Sequence, residues 1–316
     1  MAMYRHDLPQ LKDEIFLTDS GLETHLIFNE GYDLPLFASY TLLETDKGRD
    51  SLRAYYRQHL AIAKKHDTGF ILEAPTWRAS RDWGEQIGHC PADLERLNRR
   101  AISMLADLRK ESSFGQPIVI SGNLGPRGDG YRPDLAMTAR ESEAYHEEQI
   151  GWFAQTEADM IAAFTLSTVA EAVGIIRASE KVGMPCVPSF TVETDGNLPD
   201  GTPLREAILS ADAETGSSAA YFMVNCAHPD HFRDRLTGDK GWLQRIGGIR
   251  ANASRLSHAE LDEAEELDPG NPEELGRDYA ELRRLLPRAQ VLGGCCGTDH
   301  RHVTCIAASN LSAVPA

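Results

Sequence analysis

Residues 290–299 read Gln290-Val291-Leu292-Gly293-Gly294-Cys295-Cys296-Gly297-Thr298-Asp299. A short apolar strand runs into two glycines and a vicinal cysteine pair, and His300-Arg301-His302-Val303 then opens a helix. Adjacent cysteines do not readily close a strain-free disulfide with each other. The glycines permit a sharp turn and leave the sulfurs uncovered. The helix N-terminus behind them adds positive potential, which favours thiolate. Two thiolates this close repel one another unless a cation sits between them, so the pair predicts a zinc site that needs another ligand.

A second apolar run, Ala219-Ala220-Tyr221-Phe222-Met223-Val224-Asn225-Cys226, also ends in cysteine, and His228-Pro229-Asp230 starts a helix after it. Cys226, Cys295 and Cys296 together give Zn²⁺ a tetrahedral site with an open fourth position, the layout of a catalytic metal. Three thiolates leave the centre with net negative charge. Such a centre activates water poorly but suits a substrate thiol, which it would hold deprotonated and nucleophilic. The competing reading is three buried structural cysteines. The adjacency, the glycines and the third Cys at another strand end favour the metal. Cys90, Cys186 and Cys305 read as ordinary core or surface residues.

Outward from these motifs, short apolar runs alternate with amphipathic stretches. Strands are expected at 14–18, 69–73, 117–121, 159–164, 185–190, 221–225, 248–251 and 290–292. Thr202-Pro203 reads as an N-cap and N1 proline before an apolar face of Leu204, Ala207, Ile208 and Ala211. Asn271-Pro272-Glu273-Glu274 opens another helix with Leu275, Tyr279, Leu282 and Leu286 on one stripe. Val169, Ala172, Val173 and Ile176 mark a third, stopped by Gly183 and Pro185. Residues 251–270 are acidic and irregular, with room for a short helix or a lid. This alternation fits a doubly wound sheet as well as a (β/α)₈ barrel. The placement of Asp19, Glu73, Asn123, Cys226, Asn252, Cys295 and Cys296 at strand C-terminal ends selects the single α/β (β/α)₈ TIM barrel, over residues 1–316 as one domain.

A chain of 316 residues, 41% hydrophobic, can bury the core such a barrel needs. Its formal charge of −16, with no basic cluster, argues against nucleic-acid and anionic-membrane partners. No apolar run approaches transmembrane length, and residues 1–10 lack a signal-peptide core. With metal-type thiol spacing, the expected compartment is a reducing cytoplasm.

The motifs resemble those of the zinc-dependent homocysteine S-methyltransferases, the family with betaine-, S-methylmethionine- and folate-linked branches. Val224-Asn225-Cys226 and Gly293-Gly294-Cys295-Cys296-Gly297 look like its two metal-ligand motifs. Thr18-Asp19-Ser20-Gly21-Leu22-Glu23-Thr24-His25-Leu26 is similar to its opening Asp-Gly-Gly-x-x-Thr-x-Leu, with Ser20 in place of a glycine. Ser121-Gly122-Asn123-Leu124-Gly125-Pro126 looks like its Gly-x-x-Gly-Pro turn, and Ser189-Phe190-Thr191-Val192 followed by Asp200-Gly201-Thr202-Pro203-Leu204 is a further match. The resemblance implies Zn²⁺ as cofactor, a thiol acceptor such as homocysteine, and a role in methionine biosynthesis. With no cobalamin or folate module in view, the donor is expected to be a small onium compound, S-methylmethionine-like.

The resemblance also assigns the substrate residues. Asp19 is expected near the acceptor's amino-acid end, or else as a turn or N-cap residue; Gly21, Glu23 and Thr24 are next in line, with Glu23 and Thr24 otherwise capping the first helix, and Asn225 is expected beside the metal. In relatives an Asn or Tyr oxygen fills the fourth metal position without substrate, which nominates Asn252; a loop-anchoring Asn is the alternative. Relatives carry a Glu at the end of strand four that grips the acceptor's amino group, where this chain has Phe164. Glu73 on strand two is the candidate replacement, or else an ion-pair partner of Arg78 or Arg81. Trp77 and Trp83 offer an aromatic wall for an onium methyl, or plain packing. Arg78 stands where the betaine branch has an aromatic, which argues against betaine and for a substrate carboxylate. His228, His231, His300 and His302 read as residues of the two flanking helices. The alternative function is a methyltransferase or demethylase for another thiol/onium pair, or a noncatalytic zinc- or thiol-binding protein.

Overall fold

The computed structural model describes residues 2–113, 115–132, 136–264 and 266–311. Eight parallel strands follow one another around a closed barrel in chain order. They are β1 (Phe16–Leu17), β2 (Gly69–Glu73), β3 (Ile118–Leu124), β4 (Met160–Leu166), β5 (Cys186–Phe190), β6 (Phe222–Asn225), β7 (Ile246–Ala251) and β8 (Val291–Gly294). Phe16 pairs with Val291 and Leu17 with Leu292, which closes the ring. Each expected strand is present, and β3, β4 and β8 run two or more residues further toward the C-terminal mouth than the apolar runs alone indicate.

Both faces of a barrel strand are covered, so the strands read as continuous apolar runs rather than as alternation. Alternation nonetheless sorts their side chains. Phe16, Ile71, Val119, Met160, Ala162, Phe164, Val187, Met223 and Val291 fill the barrel interior. Phe70, Leu72, Ile120, Ile161, Ala163 and Leu292 face the helices in a separate, larger core. Glu73 is two residues beyond Ile71 on the interior face, so the apolar filling gives way to charge at the mouth.

At the opposite end the N-terminal segment plugs the barrel. Buried Asp159 accepts backbone N–H bonds from Met3 (2.6 Å), Tyr4 (2.8 Å) and Ile120 (2.9 Å) and pairs with Arg109 at 2.7 Å. The buried charge there serves closure of the fold, and leaves the C-terminal mouth for chemistry.

The helices follow their sequence signals closely. Asn271 caps Pro272–Leu285 by accepting from the Glu273 and Glu274 amides. Thr168 caps Val169–Lys181, and Gly183 takes the left-handed conformation after it, at φ 67°. One start differs. Helix Leu204–Thr215 has Pro203 at its cap position with no side-chain bond, so Thr202 is not its cap. The Thr202 amide is instead drawn into a turn by Asp200 Oδ1 at 2.9 Å. Among the described residues between 251 and 270 lies one short helix, His258–Asp262, capped by Ser257. Among the described residues no helix is long and apolar enough to cross a membrane.

Candidate active site

β6 and β8 lie one strand apart on the rim, and their ends bring Cys226, Cys295 and Cys296 together, the three sulfurs all within 4.8 Å of one another. Cys226 Sγ is 3.5 Å from Cys296 Sγ. Cys226 has φ 56°, a conformation that costs a non-glycine residue of order 1–3 kcal/mol. Its amide is held by the Arg250 carbonyl at 3.0 Å and its carbonyl by His258 Nε2 at 2.6 Å. The strained backbone is thereby fixed from two sides.

The glycines of β8 serve close approach. A Cβ on Gly293 would collide with Thr18 Oγ1 and approach the Asp19 carbonyl to 2.8 Å; one on Gly294 would collide with Thr298 Oγ1. Removing both side chains lets β1 and the turn 295–298 close around the cysteine pair. Thr298 Oγ1 donates to the Cys295 carbonyl at 2.7 Å, and Thr24 Oγ1 accepts from the Gly297 amide at 3.2 Å.

The thiols share charge unevenly. Hydrogen bonds from Cys226 and Cys296, with Arg250 nearby, hold Cys295 well below the ordinary thiol range despite burial. Cys226 and Cys296 are pushed up, through their hydrogen bonding within the cluster and by burial. Within the cluster, thiolate character is thus concentrated on Cys295. A cation is what would deprotonate all three.

The cleft beside the sulfurs is lined by Asp19, Gly21, Glu23, Thr24, Glu73, Trp77, Phe164 and Asn225 from the sequence expectation, and by Asn123, Tyr131 and Arg250. Arg250 organises its floor. Its Nη1 lies 2.7 Å from Asp19 Oδ1, Nε donates to the Gly294 carbonyl (3.0 Å), and Nη2 donates to the Ser20 carbonyl (3.1 Å). The guanidinium also sits 5.0 Å from the Phe164 ring centroid. Asp19 and Glu73 raise the Arg250 pKa against the effect of burial, so it remains a cation. Burial raises Asp19, opposed by Arg250. Burial likewise raises Glu23, whose carboxylate accepts from Ser39 Oγ at 2.7 Å.

Glu73 pairs with neither Arg78 nor Arg81. Its nearest cation is Arg250 Nη1 at 3.9 Å, and burial pushes its carboxyl up to about 7. Arg81 engages Glu148 instead. Arg78 is sandwiched between Trp77 and Trp83, 3.9 and 3.6 Å from the ring centroids, and donates to the Gly128 carbonyl at 3.3 Å. It is not among the cleft-lining residues, and the two indoles are its packing partners.

Asn225 is a clamp at the mouth. Its Oδ1 accepts from the Thr165 amide (2.9 Å) and Ser189 Oγ (2.7 Å), and its Nδ2 donates to Thr165 Oγ1 (2.9 Å). Thr165 has φ 65°, an outlier for a β-branched residue, and lies where the β4–β5 register shifts. Asn225 thereby couples the strained end of β4, which carries Phe164, to the strand carrying Cys226.

Two further residues were not singled out in the sequence. Tyr131 places its hydroxyl 2.8 Å from Cys226 Sγ. His258, from the short helix after β7, packs on the Tyr131 ring at 4.1 Å between centroids. Asn252 lies next to both cysteine turns, its amide donating to the Ala227 carbonyl at 3.2 Å; its Oδ1 is buried with no hydrogen-bond partner, and it is not among the cleft-lining residues. His228 caps the helix after Cys226 and His300 begins the last helix.

The homocysteine S-methyltransferase family model matches residues 16–309. The chain is similar to homocysteine S-methyltransferase YbgG of Bacillus subtilis (strain 168), 24% identical over 241 residues, covering 70% of this chain and 73% of YbgG. Among solved structures it resembles the oxidized form of the homocysteine methyltransferase MmuM from Escherichia coli, with TM-score 0.76, 17% identity, and coverage of 97% and 99% of the two chains. The metallated form of MmuM aligns with TM-score 0.72 and 16% identity over 96% and 98%. With its family model spanning nearly the entire barrel, the chain is an S-methyltransferase belonging to the homocysteine S-methyltransferase family.

Proposed function

We propose that this enzyme transfers a methyl group from a small onium donor, S-methylmethionine-like, to a thiol such as homocysteine, using Zn²⁺ held by Cys226, Cys295 and Cys296. The observation that carries the reading is the convergence of the three sulfurs at the mouth of a cleft that also holds buried charge. Tetrahedral zinc with bonds near 2.3 Å separates its sulfur ligands by about 3.8 Å. The 3.5 Å between Cys226 and Cys296 is close to that spacing. The donor set is all soft thiol, and it needs a cation to lose its remaining protons. When bound, zinc would supply the Lewis acid that keeps the acceptor sulfur deprotonated at neutral pH.

The chain's own residues do the rest. Asn225 and His258 fix the backbone on either side of Cys226. While no thiol is bound, the Tyr131 hydroxyl, beside Cys226 Sγ, is the oxygen the cleft offers to the remaining metal position, and the unbonded Asn252 Oδ1, outside the cleft lining, is the alternative. Phe164 and Trp77 give the cleft aromatic walls against which an onium methyl can lie. Trp77 is itself fixed by donating to the Phe164 carbonyl at 3.2 Å. The substrates are small molecules, and the reaction belongs to methionine formation in the cytoplasm.

Methyl transfer from S-methylmethionine to homocysteine, followed as methionine formed, tests the proposal. Activity should vanish on complete removal of zinc and return on its restoration. Unchanged turnover by the metal-free protein would refute it. Phe164, projecting into the cleft where relatives carry Glu, favours one competing reading, a different thiol acceptor. A panel of thiols in the same assay separates the two.

A further inference from the structure

Helix Asp46–His66 turns Tyr55, Tyr56 and His59 inward, and all three are buried. Tyr55 and His59, four residues apart, lie against one another with 4.5 Å between ring centroids. His59 Nδ1 is 2.9 Å from the Tyr55 carbonyl oxygen, which can only accept, so this nitrogen carries a proton. Burial pushes His59 down to about 4, so the ring is neutral near pH ~7 and its Nε2 is an acceptor. Ser20 Oγ, 2.9 Å away, therefore donates to Nε2. The Ser20 amide donates to the Tyr55 hydroxyl at 3.1 Å, and that hydroxyl is also 3.1 Å from Ser20 Oγ. The Ser20 carbonyl accepts from Arg250 Nη2 at 3.1 Å. Every polar atom of Ser20 is thus engaged. Relatives' opening motif has glycine at this position, which offers His59 no hydroxyl.

We infer that Ser20, Tyr55 and His59 are positioning residues for the methyl transfer: they lock the turn after β1 and so aim the Asp19–Arg250 pair into the cleft before an acceptor enters. This rests on the methyltransferase reading above. Ser20 lines the cleft, whereas Tyr55 and His59 stand behind it and act through Ser20. Asp19 immediately precedes Ser20, and its carbonyl accepts from the Gly294 amide at 2.9 Å, so β8 holds the turn from the other side. Arg250 is bonded to the Ser20 carbonyl itself. A tilt of this peptide would draw the carbonyl away from Nη2 and redirect the guanidinium, and with it the 2.7 Å pair with Asp19. Burial raises the Asp19 carboxyl, and after Arg250 the Tyr55 hydroxyl is among the groups that oppose it. Next along the helix, Tyr56 donates to the Glu73 carbonyl at 2.6 Å. Little more than one helical turn therefore sets the ends of β1 and β2, which bring the carboxylates to the cleft. The cysteines are fixed separately, by β6, β8 and their turns. The network thus governs how the acceptor is seated rather than the sulfur that reacts, and such support matters at the scale of about 0.5 Å.

The test is a double-mutant cycle on the zinc-loaded, full-length protein. Homocysteine binding is followed by calorimetry, and methyl transfer from S-methylmethionine by steady-state kinetics. Ser20→Ala and His59→Leu should each weaken homocysteine binding and raise its KM by about tenfold, with kcat within about twofold of wild type. The double variant should be no weaker than either single, because losing one end of the Ser20–His59 bond already removes its effect. His59→Gln, whose amide can both donate and accept, should recover part of the loss. A role confined to holding the fold together would lower the thermal midpoint and leave homocysteine affinity and KM alone, and that result would overturn the assignment. Losses that multiply in the double variant would overturn it too, since the two residues would then act independently. So would a fall in kcat at unchanged affinity, which would put the network on the reacting step. Ser20→Ala deletes a single oxygen, so unchanged affinity in this variant overturns the assignment even where His59→Leu fails to fold. Each of these results leaves the methyltransferase reading intact. A wild type that neither binds nor methylates homocysteine would overturn both.

Discussion

Glu73→Gln should make the protein more stable at alkaline pH and leave it nearly unchanged in acid. The Glu73 carboxyl moves from an ordinary 4.5 to about 7, mainly through burial. A carboxyl raised in the folded state binds its proton more tightly there than in the unfolded chain. Its contribution to stability is therefore full below pH 4.5 and is lost as pH rises through about 7. At 1.36 kcal/mol per pKa unit, the ionised group costs about 3 kcal/mol by pH ~8 and under about 1 kcal/mol at pH ~5. The amide of Gln has the same shape and no proton to lose, so the variant escapes this cost. For a chain of this size the gain corresponds to a rise of roughly 5 °C in thermal midpoint at pH ~8. The assay is a pair of melting or urea series, wild type and variant, across that pH range at fixed zinc. Curves that run parallel with pH would refute the reasoning, because the variant's advantage must grow as the carboxyl ionises.

The Cys295→Ser, Cys296→Ser double variant should lose bound zinc on metal analysis, since two of the three thiols are gone; full retention would remove these residues from the metal site. Gly293→Ala should destabilise the fold by about 1–3 kcal/mol, because its Cβ meets Thr18 Oγ1 and the Asp19 carbonyl, and an unchanged thermal midpoint would show that β1 can give way.

The barrel was legible because each strand is buried on both faces and reads as a compact apolar run, with the chemistry consistently at its C-terminal end. The cysteine triad was legible for the same reason: residue type and strand-end position suffice when the side chains sit on the frame itself. What escaped was set by contacts across the barrel. Arg250 sits in the run Gly248-Ile249-Arg250-Ala251, and a charge inside a barrel strand was its available signal. Its partners, Asp19 and the carbonyls of Ser20 and Gly294, come from the segment after β1 and from β8, far away in sequence. Tyr131 and His258 lie in connecting segments with no periodicity, and only their mutual stacking beside Cys226 gives them a place.

Arg250 also changes how the replacement at position 164 is understood. Read along the chain, Phe164 removes a carboxylate from strand four and leaves the acceptor's amino group without a partner. In the folded barrel its ring lies over a buried cation already held by Asp19. A glutamate introduced there would sit near that cation and compete with Asp19 for it, so Phe164→Glu need not supply a free acid to the cleft. Glu73 faces the same nitrogen of Arg250 as Asp19 does, but at 3.9 Å rather than 2.7 Å. The charge arrangement at the mouth is thus a set: Asp19 and Glu73 both face Arg250, and Phe164 covers Arg250. Exchange of any one member redistributes the other three, which is why single-position comparison with relatives is a poor guide to the acceptor here.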